Sequence, residues 1–473
     1  VSWESSTKVT VLDVSDRRAP TVQREIYAQG DLRASRRVGD RVHVVVTDNL
    51  YDRWEPQGSY DNYLYAQRQA LQNVGAGEWL PNLADHRRTD DGWNITRGDV
   101  TRCTDVYKPA NRTDLQFTTV LSFSPADRAS DLQTVGLIAR AETVYATADS
   151  LYFGMSEYES GPFPSLDGSL DSRLHKFALT DDGPVYTASG RVPGTMLNQF
   201  SMDEHDGFLR IATTDWSDES VSNSLHVLEQ VDTGLQVVGS VTGIEPEESI
   251  YSTRFQGDRG YMVTFRQIDP LFTFDLSDPF DPQLVGSLEV TGFSNYLHPL
   301  GDDRLLAVGE EITAQGSPEG LQVSVFDVSD FANPRLEDRE VVPGMGWSEA
   351  QYDHHAFTFY EPEHVLALPI QRWGFDDSPD AALALFRVDE ESDDVLVPME
   401  EVDHSRWLLN TGGASLMEEA QWCSQVRRSV FVGSFLYVIS NFGVQVVELE
   451  SGRTLASWLT PTPQCWWGRG VAF

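Results

Sequence analysis

The side chains best suited to chemistry in this 473-residue chain gather in two strings, Asp353-His354-His355 and, earlier, His298-Pro299. Neutral imidazoles beside a carboxylate suit zinc, copper, iron or nickel. An aspartate next to a histidine can also orient the ring as a general base. Aligning the chain on its recurrent Gly-Asp turns puts His355, His298 and Thr253 at one equivalent position, with Arg36 and Arg254 one position on. Asp353, His354, His355 and His298 are therefore the candidate metal ligands, and Arg36 and Arg254 the polar side chains expected beside them. Successive strand residues point to opposite faces, so His354 and His355 can share a site only across a bulge. The structural alternative is that these groups bond backbone carbonyls or pair with Arg254, because buried polar groups need partners. Gly-x-Ser-x-Gly, His-Glu-x-x-His and a phosphate-binding glycine loop are absent, so no catalytic residue is assigned.

The elements that must hold these residues announce themselves by repetition. Val-Thr-Val-Leu-Asp13-Val-Ser-Asp, Leu-Phe-Thr-Phe-Asp275-Leu-Ser-Asp and Val-Ser-Val-Phe-Asp327-Val-Ser-Asp each end an apolar strand in an Asp-Ser turn, followed by Pro20, Pro282 or Pro334. Asp and Ser side chains cap their own backbone two residues on, and proline presets the exit from a turn. Between these phrases a second hairpin recurs around Gly39-Asp40, Gly257-Asp258 and Gly301-Asp302. Four strands per unit of about 45 to 55 residues, with no long helical period, predict an all-β propeller of four-stranded blades. Complete units are expected at 33–140, 141–194, 195–244, 245–292, 293–344, 345–404 and 424–460, preceded by a half unit, Lys8–Ile26, that supplies only a third and fourth strand. The expectation is eight blades, with seven as the alternative, in one domain over 1–473 closed by both chain ends, the tail Trp466–Phe473 supplying a missing inner strand.

One stretch breaks the rhythm, the insertion 49–114 inside the first complete unit. Tyr60–Leu71 lacks glycine and proline and reads as one or two short helices. Tyr51, Trp54, Tyr60, Tyr63, Tyr65, Trp79 and Trp93 make the insertion aromatic, either to pack it on the propeller or to offer a ligand or partner surface.

Seventy-three acidic residues against 35 basic ones give a formal charge of −38, and Lys8, Lys108 and Lys176 are the only lysines. So acidic a surface repels phosphate backbones and excludes nucleic acid as the expected partner. Asp203-Glu-His-Asp206, Asp302-Asp303, Asp376-Asp-Ser-Pro-Asp380 and Asp389–Asp394 offer oxygen ligands for calcium, without EF-hand spacing. No apolar run reaches the roughly eighteen residues of a membrane span. The chain opens on Val1-Ser-Trp-Glu, as expected of a mature or trimmed product. Cys103, Cys423 and Cys465 form no Cys-x-x-Cys motif. A Cys423–Cys465 bridge would staple the chain end in an oxidising compartment; pairing through Cys103, or three reduced thiols, are the alternatives. Asn94-Ile-Thr96 and Asn111-Arg-Thr113 match the glycosylation triplet.

Across nearly its whole length the chain resembles the bacterial and archaeal secreted proteins with a C-terminal β-propeller distantly related to WD repeats. The likeness lies in Lys8–Asp16, Ser35-Arg36, Val263-Thr-Phe-Arg-Gln-Ile-Asp-Pro270, Gly292-Phe-Ser-Asn-Tyr-Leu-His-Pro299, Ser348-Glu-Ala-Gln-Tyr-Asp-His-His-Ala-Phe357 and Arg428-Ser-Val-Phe-Val-Gly433. It implies a secreted propeller and carries no reaction; the first two strands of the opening blade, expected from the resemblance, are missing. The favoured reading is an extracytoplasmic binding or scaffold module for a protein or glycan, using the insertion. The alternatives are a metal-dependent hydrolase or lyase acting through His298, His355, Asp353 and Arg254, and a subunit of a homo-oligomeric, surface or filamentous assembly bridged by cations.

Overall fold

The computed structural model describes residues 5–50, 79–109, 116–127, 130–158, 170–216, 221–265, 269–313, 317–342, 344, 346–373, 379–392, 394–410 and 425–460. The chain divides into two compact units, Val1–Glu219 with His226–Val238, and Ser220–Leu225 with Gly239–Val471. Both are built mainly from antiparallel sheets; the expected units 33–140, 245–292, 293–344, 345–404 and 424–460 each correspond to one sheet, whereas 141–194 and 195–244 share a single eight-stranded sheet.

In the first unit, Asp31–Val38, Arg41–Asn49, Gln116–Phe123 and Gln133–Leu137 form one sheet, edged by Val106–Tyr107. Thr143–Ala146, Ser150–Tyr158, Leu170–Thr180 and Gly183–Pro193 form the next. Its last strand pairs in parallel with Gly234–Ile244, the fourth strand of the set that begins Met202–His205, through Ser189 with Gly234 and Gly190 with Leu235. The second unit repeats the arrangement from Ser249–Gln256, Phe293–Leu300, Gly346–Trp347 and Val426–Val432 as first strands.

The repeated phrase folds by the turn chemistry its residues dictate. The carboxylates of Asp13, Asp275 and Asp327 accept the amides of Ser15, Ser277 and Ser329 at 2.9, 3.0 and 2.9 Å. First strands share a second device, a bulge near their start, at Leu32/Ala34, Ile250/Ser252, Ser294/Tyr296 and Val426/Arg428. Gly194 and Gly292 join successive four-strand sets at φ of 80° and 82°. A Cβ on either would come within 2.8 Å of the Thr214 carbonyl or 2.6 Å of the Glu310 carbonyl, so only glycine fits the junction. Alternating apolar residues meet in cores such as Ile26, Val44, Val46, Leu121 and Phe123 in the first unit and Tyr261, Val263, Leu297, Leu305 and Phe326 in the second.

The half unit is extended in a way the sequence did not suggest. Ser6–Asp13 and Thr21–Gln29 share a sheet with Asn82–Thr89 and Gly92–Asp99, two strands from inside the insertion. They attach to Thr21–Gln29, pairing Arg24 with Arg87 and Ile26 with Asp85. The described part of the insertion is therefore a hairpin, then a 3-10 turn at Cys103–Asp105. Tyr60–Leu71, the tail Trp466–Phe473, Cys423 and Cys465 lie outside the described residues. Cys103 is exposed and free. No helix among the described residues is long and apolar enough to cross a membrane.

Candidate functional site

Asp353, His354 and His355 do not lie on a first strand. In their sheet that strand is split: Trp347 pairs with Gln371 and Thr358 with Ala367, so residues 348–357 stand opposite residues 368–370. Where other sheets carry a one-residue bulge, this one carries an excursion of two 3-10 turns, Glu349–Gln351 and His354–Ala356. Each is started by a side chain, as expected of Ser and Asp before a helical turn. Ser348 Oγ accepts the Ala350 amide at 3.2 Å, and Asp353 Oδ1 accepts the His355 amide at 3.0 Å.

The same Asp353 Oδ1 lies 2.8 Å from His355 Nδ1, while Asp353 Oδ2 takes Arg428 at 2.5 Å. Arg428 also donates to Glu349 at 3.0 Å, and Arg427 pairs with Glu349 at 2.9 Å. Two adjacent arginines reach one carboxylate because the Val426/Arg428 bulge breaks strand alternation. Burial pushes the Asp353 carboxyl up, but the His355 hydrogen bonds and the Arg428 charge outweigh it and hold the group below its ordinary range. The His354 and His355 rings lie 3.9 Å apart between centroids. One ligand atom from each of Asp353, His354 and His355 falls within 4.8 Å of the others, the one such group among the described residues.

His298 lies outside that group. Its ring packs against Phe357 and Phe359 at 4.9 and 5.8 Å, its Nδ1 is buried without a hydrogen bond, and burial together with the Arg254 charge pushes the imidazole down to about 4. Counting from the shared bulge corrects the sequence alignment: His298 and Arg254 both stand two residues past it, as does Arg36, so Thr253 is one residue short of equivalence. Arg36 donates to Gln199 in the first unit, and burial lowers its pKa.

A second site, in the first unit, is the cleft walled by the insertion hairpin, of about 860 Å³. Leu83, Asp85, Arg87, Thr96 and Asp99 form one wall; Thr101, Arg102, Asp105 and Tyr107 continue it; Asp131–Val135, Asp182, Pro184 and Val185 close the other side. Two of its lining residues, Asp85 and Arg87, form an ion triad with Arg24. Arg24 forks onto Asp85 at 2.9 and 2.8 Å, with both residues 3 % exposed, and Arg87 adds a bond of 2.8 Å. Burial raises the Asp85 carboxyl, yet the two guanidiniums hold it below its ordinary range. The return limb is stitched down by Val106 and Tyr107 pairing with Gly136 and Leu137, and Tyr107 stacks on Tyr186 at 4.8 Å. At the rim Asp99, Asp131 and Asp182 are exposed.

A third constellation lies at Asp203–Asp206, which the sequence offered only as oxygen ligands for calcium. Glu204 instead accepts from Lys176 at 2.9 Å, Tyr152 at 2.8 Å and Thr147 at 3.2 Å, and Asp203 pairs with Arg210. The signal was available in the rarity of lysine: Lys176 is one of three. These acids are taken by protein partners, and among the described residues no acidic loop assembles a cation-binding group. Asp376 and Asp377 lie outside the described residues.

The profile of the beta propeller domain family matches residues 1–452. The chain belongs to this family. It is 42% identical over 185 residues to an uncharacterized protein of Archaeoglobus fulgidus, a match covering 39% of this chain and 28% of that protein. It is 34% identical over 263 residues to an uncharacterized protein of Methanocaldococcus jannaschii, covering 55% and 36%. The matches thus span about a third of the length of these relatives. Among solved structures, Chaetomium thermophilum Sqt1 bound to the N-terminus of ribosomal protein L10 aligns at TM-score 0.41 with 13% identity, over 74% of this chain and 82% of that one. The dihydro-heme d1 dehydrogenase NirN aligns at 0.42 with 10% identity, over 76% and 66%. At such low identity and score neither likeness extends to function.

Proposed function

We propose that this beta propeller family member, read as eight-bladed, is an extracytoplasmic binding module that seats a basic segment of a protein partner in the insertion cleft. The observation that carries the reading is the cleft itself, whose volume of about 860 Å³ falls in the range of ligand sites. Among the described residues its lining holds five aspartates, Asp85, Asp99, Asp105, Asp131 and Asp182, against two arginines, Arg87 and Arg102. Asp85 and Asp105 are matched by those arginines and Arg24. The rim carboxylates Asp99 and Asp182 remain to meet a cationic guest, and complementary potentials both steer encounter and select partners. A protein segment is favoured over a glycan because, among the described residues, the lining offers one aromatic ring, Tyr107, already stacked on Tyr186.

Fluorescence anisotropy with a labelled Lys/Arg-rich peptide tests this. Asp99→Asn with Asp182→Asn is expected to weaken binding at least tenfold, whereas Glu361→Gln with Glu363→Gln, which removes equal charge from an exposed turn, leaves it unchanged. Equal losses in both double variants would reduce the effect to the overall charge of −38 and sink the cleft as the site.

A further inference from the structure

We propose that Asp353, His354 and His355 form a site for one divalent transition-metal ion. Three consecutive strand residues could not do this, since alternation would send His354 away from its neighbours. The excursion removes the obstacle. In a 3-10 turn successive side chains fan around a tight axis, and here one donor atom from each residue comes within 4.8 Å of the others. Asp353 Oδ1 and His355 Nδ1, 2.8 Å apart, stand slightly closer than the separation of about 3.0 Å (octahedral) to about 3.4 Å (tetrahedral) that two ligands about 2.1 Å from a common ion subtend. A metal would replace the proton between them.

The carboxylate is held for the task. Arg428 occupies Asp353 Oδ2 and the His355 amide is bonded to Oδ1, so the group presents a single oxygen in a fixed orientation. Such outer partners fix first ligands in metal sites. Two imidazoles and one carboxylate match zinc, nickel, copper or ferrous iron rather than calcium or magnesium. The His355 side chain is 60% exposed, which leaves the remaining coordination positions open to water or an exogenous ligand.

The experiment is a titration of the tag-free full chain with cobalt(II) chloride, followed by visible absorption, and with zinc chloride, followed by calorimetry. One equivalent is expected to bind, with ligand-field bands from cobalt. His355→Ala, His354→Ala and Asp353→Asn should each weaken affinity at least tenfold, and His364→Ala, another exposed histidine, should not. Circular dichroism of each variant separates lost ligation from lost folding. His355 is exposed, so its variant keeps the proposal testable if Asp353→Asn unfolds. No binding at millimolar metal, or binding that survives all three substitutions, overturns the assignment.

Discussion

A partly buried lysine shows what one residue contributes here. Lys176 and Glu204 have side chains only 12% and 13% exposed, and Tyr152 completes the arrangement with a hydroxyl on Glu204 and a ring 5.3 Å from the ammonium. Removing one partner strands the other charge in a poorly solvated place. Lys176→Met is expected to cost about 3 kcal/mol, and Lys176→Met with Glu204→Gln considerably less, because the penalty is the unpaired acid rather than the lost attraction. Urea denaturation of the three proteins checks this; equal losses in the single and double variants would contradict it. Histidines set the pH response. His175, His226 and His404 are 0, 4 and 0% exposed, and burial pushes each down to about 4. Between pH 6.5 and 4 the unfolded chain therefore binds protons that the folded chain refuses. Stability is full above about pH 6.5, falls as pH drops through that window, and loses up to about 3 kcal/mol per histidine by about pH 4. His175→Leu should melt lower at about pH 7, having lost the Tyr186 contact, but show a shallower decline toward about pH 4. An unchanged slope would remove His175 from the account.

Among the elements, sheet junctions and first-strand bulges recur, and the two devices differ in how they appear in the sequence. The junction glycines leave no room for a side chain. Gly194→Ala combines a left-handed backbone with a close approach to the Thr214 carbonyl and is expected to cost about 2 to 3 kcal/mol, read as a lower thermal midpoint. A neutral substitution would mean that the junction can relax. The bulge is a matter of register. It is one residue long in four first strands and grows into the 348–357 excursion in another, and the same displacement that interrupts the ladder groups Asp353 with two imidazoles. Periodicity alone placed those residues on a strand, because a bulge adds residues without altering composition. The hairpin Asn82–Asp99 was missed for a related reason: its strand Gly92–Asp99 is exposed throughout, and its only apolar alternation, Trp93 and Ile95, is too short to mark a buried strand.

For the whole molecule, charge and cysteine oxidation bear on where the protein works. With −38 of formal charge, self-repulsion opposes the compact state, and salt is expected to raise the thermal midpoint as it screens that repulsion. The proposed Cys423–Cys465 bridge predicts one reactive thiol, Cys103, in native protein purified without reductant, and three after reduction. Three thiols in both states would remove the bridge and with it the argument for an oxidising compartment.

The sequence alone determined the sheet repeats. Asp-Ser turns and Gly-Asp hairpins are local devices, specified by residues two or three apart, so they were legible without coordinates; the units they implied match most of the sheets, but not the opening sheet, which borrows Asn82–Thr89 and Gly92–Asp99, nor the eight-stranded sheet that spans 141–244. It also singled out Asp353, His354 and His355 by residue type. What only the tertiary structure decided was which groups meet. The pairing of Arg24 with Asp85, the capture of Glu204 by Lys176, the exclusion of His298 from the Asp353 group and the attachment of the insertion hairpin to Thr21–Gln29 all join residues distant in the chain. Such contacts are fixed by register and by where a strand is interrupted, and a one-residue shift in register changes the face on which every following side chain lies.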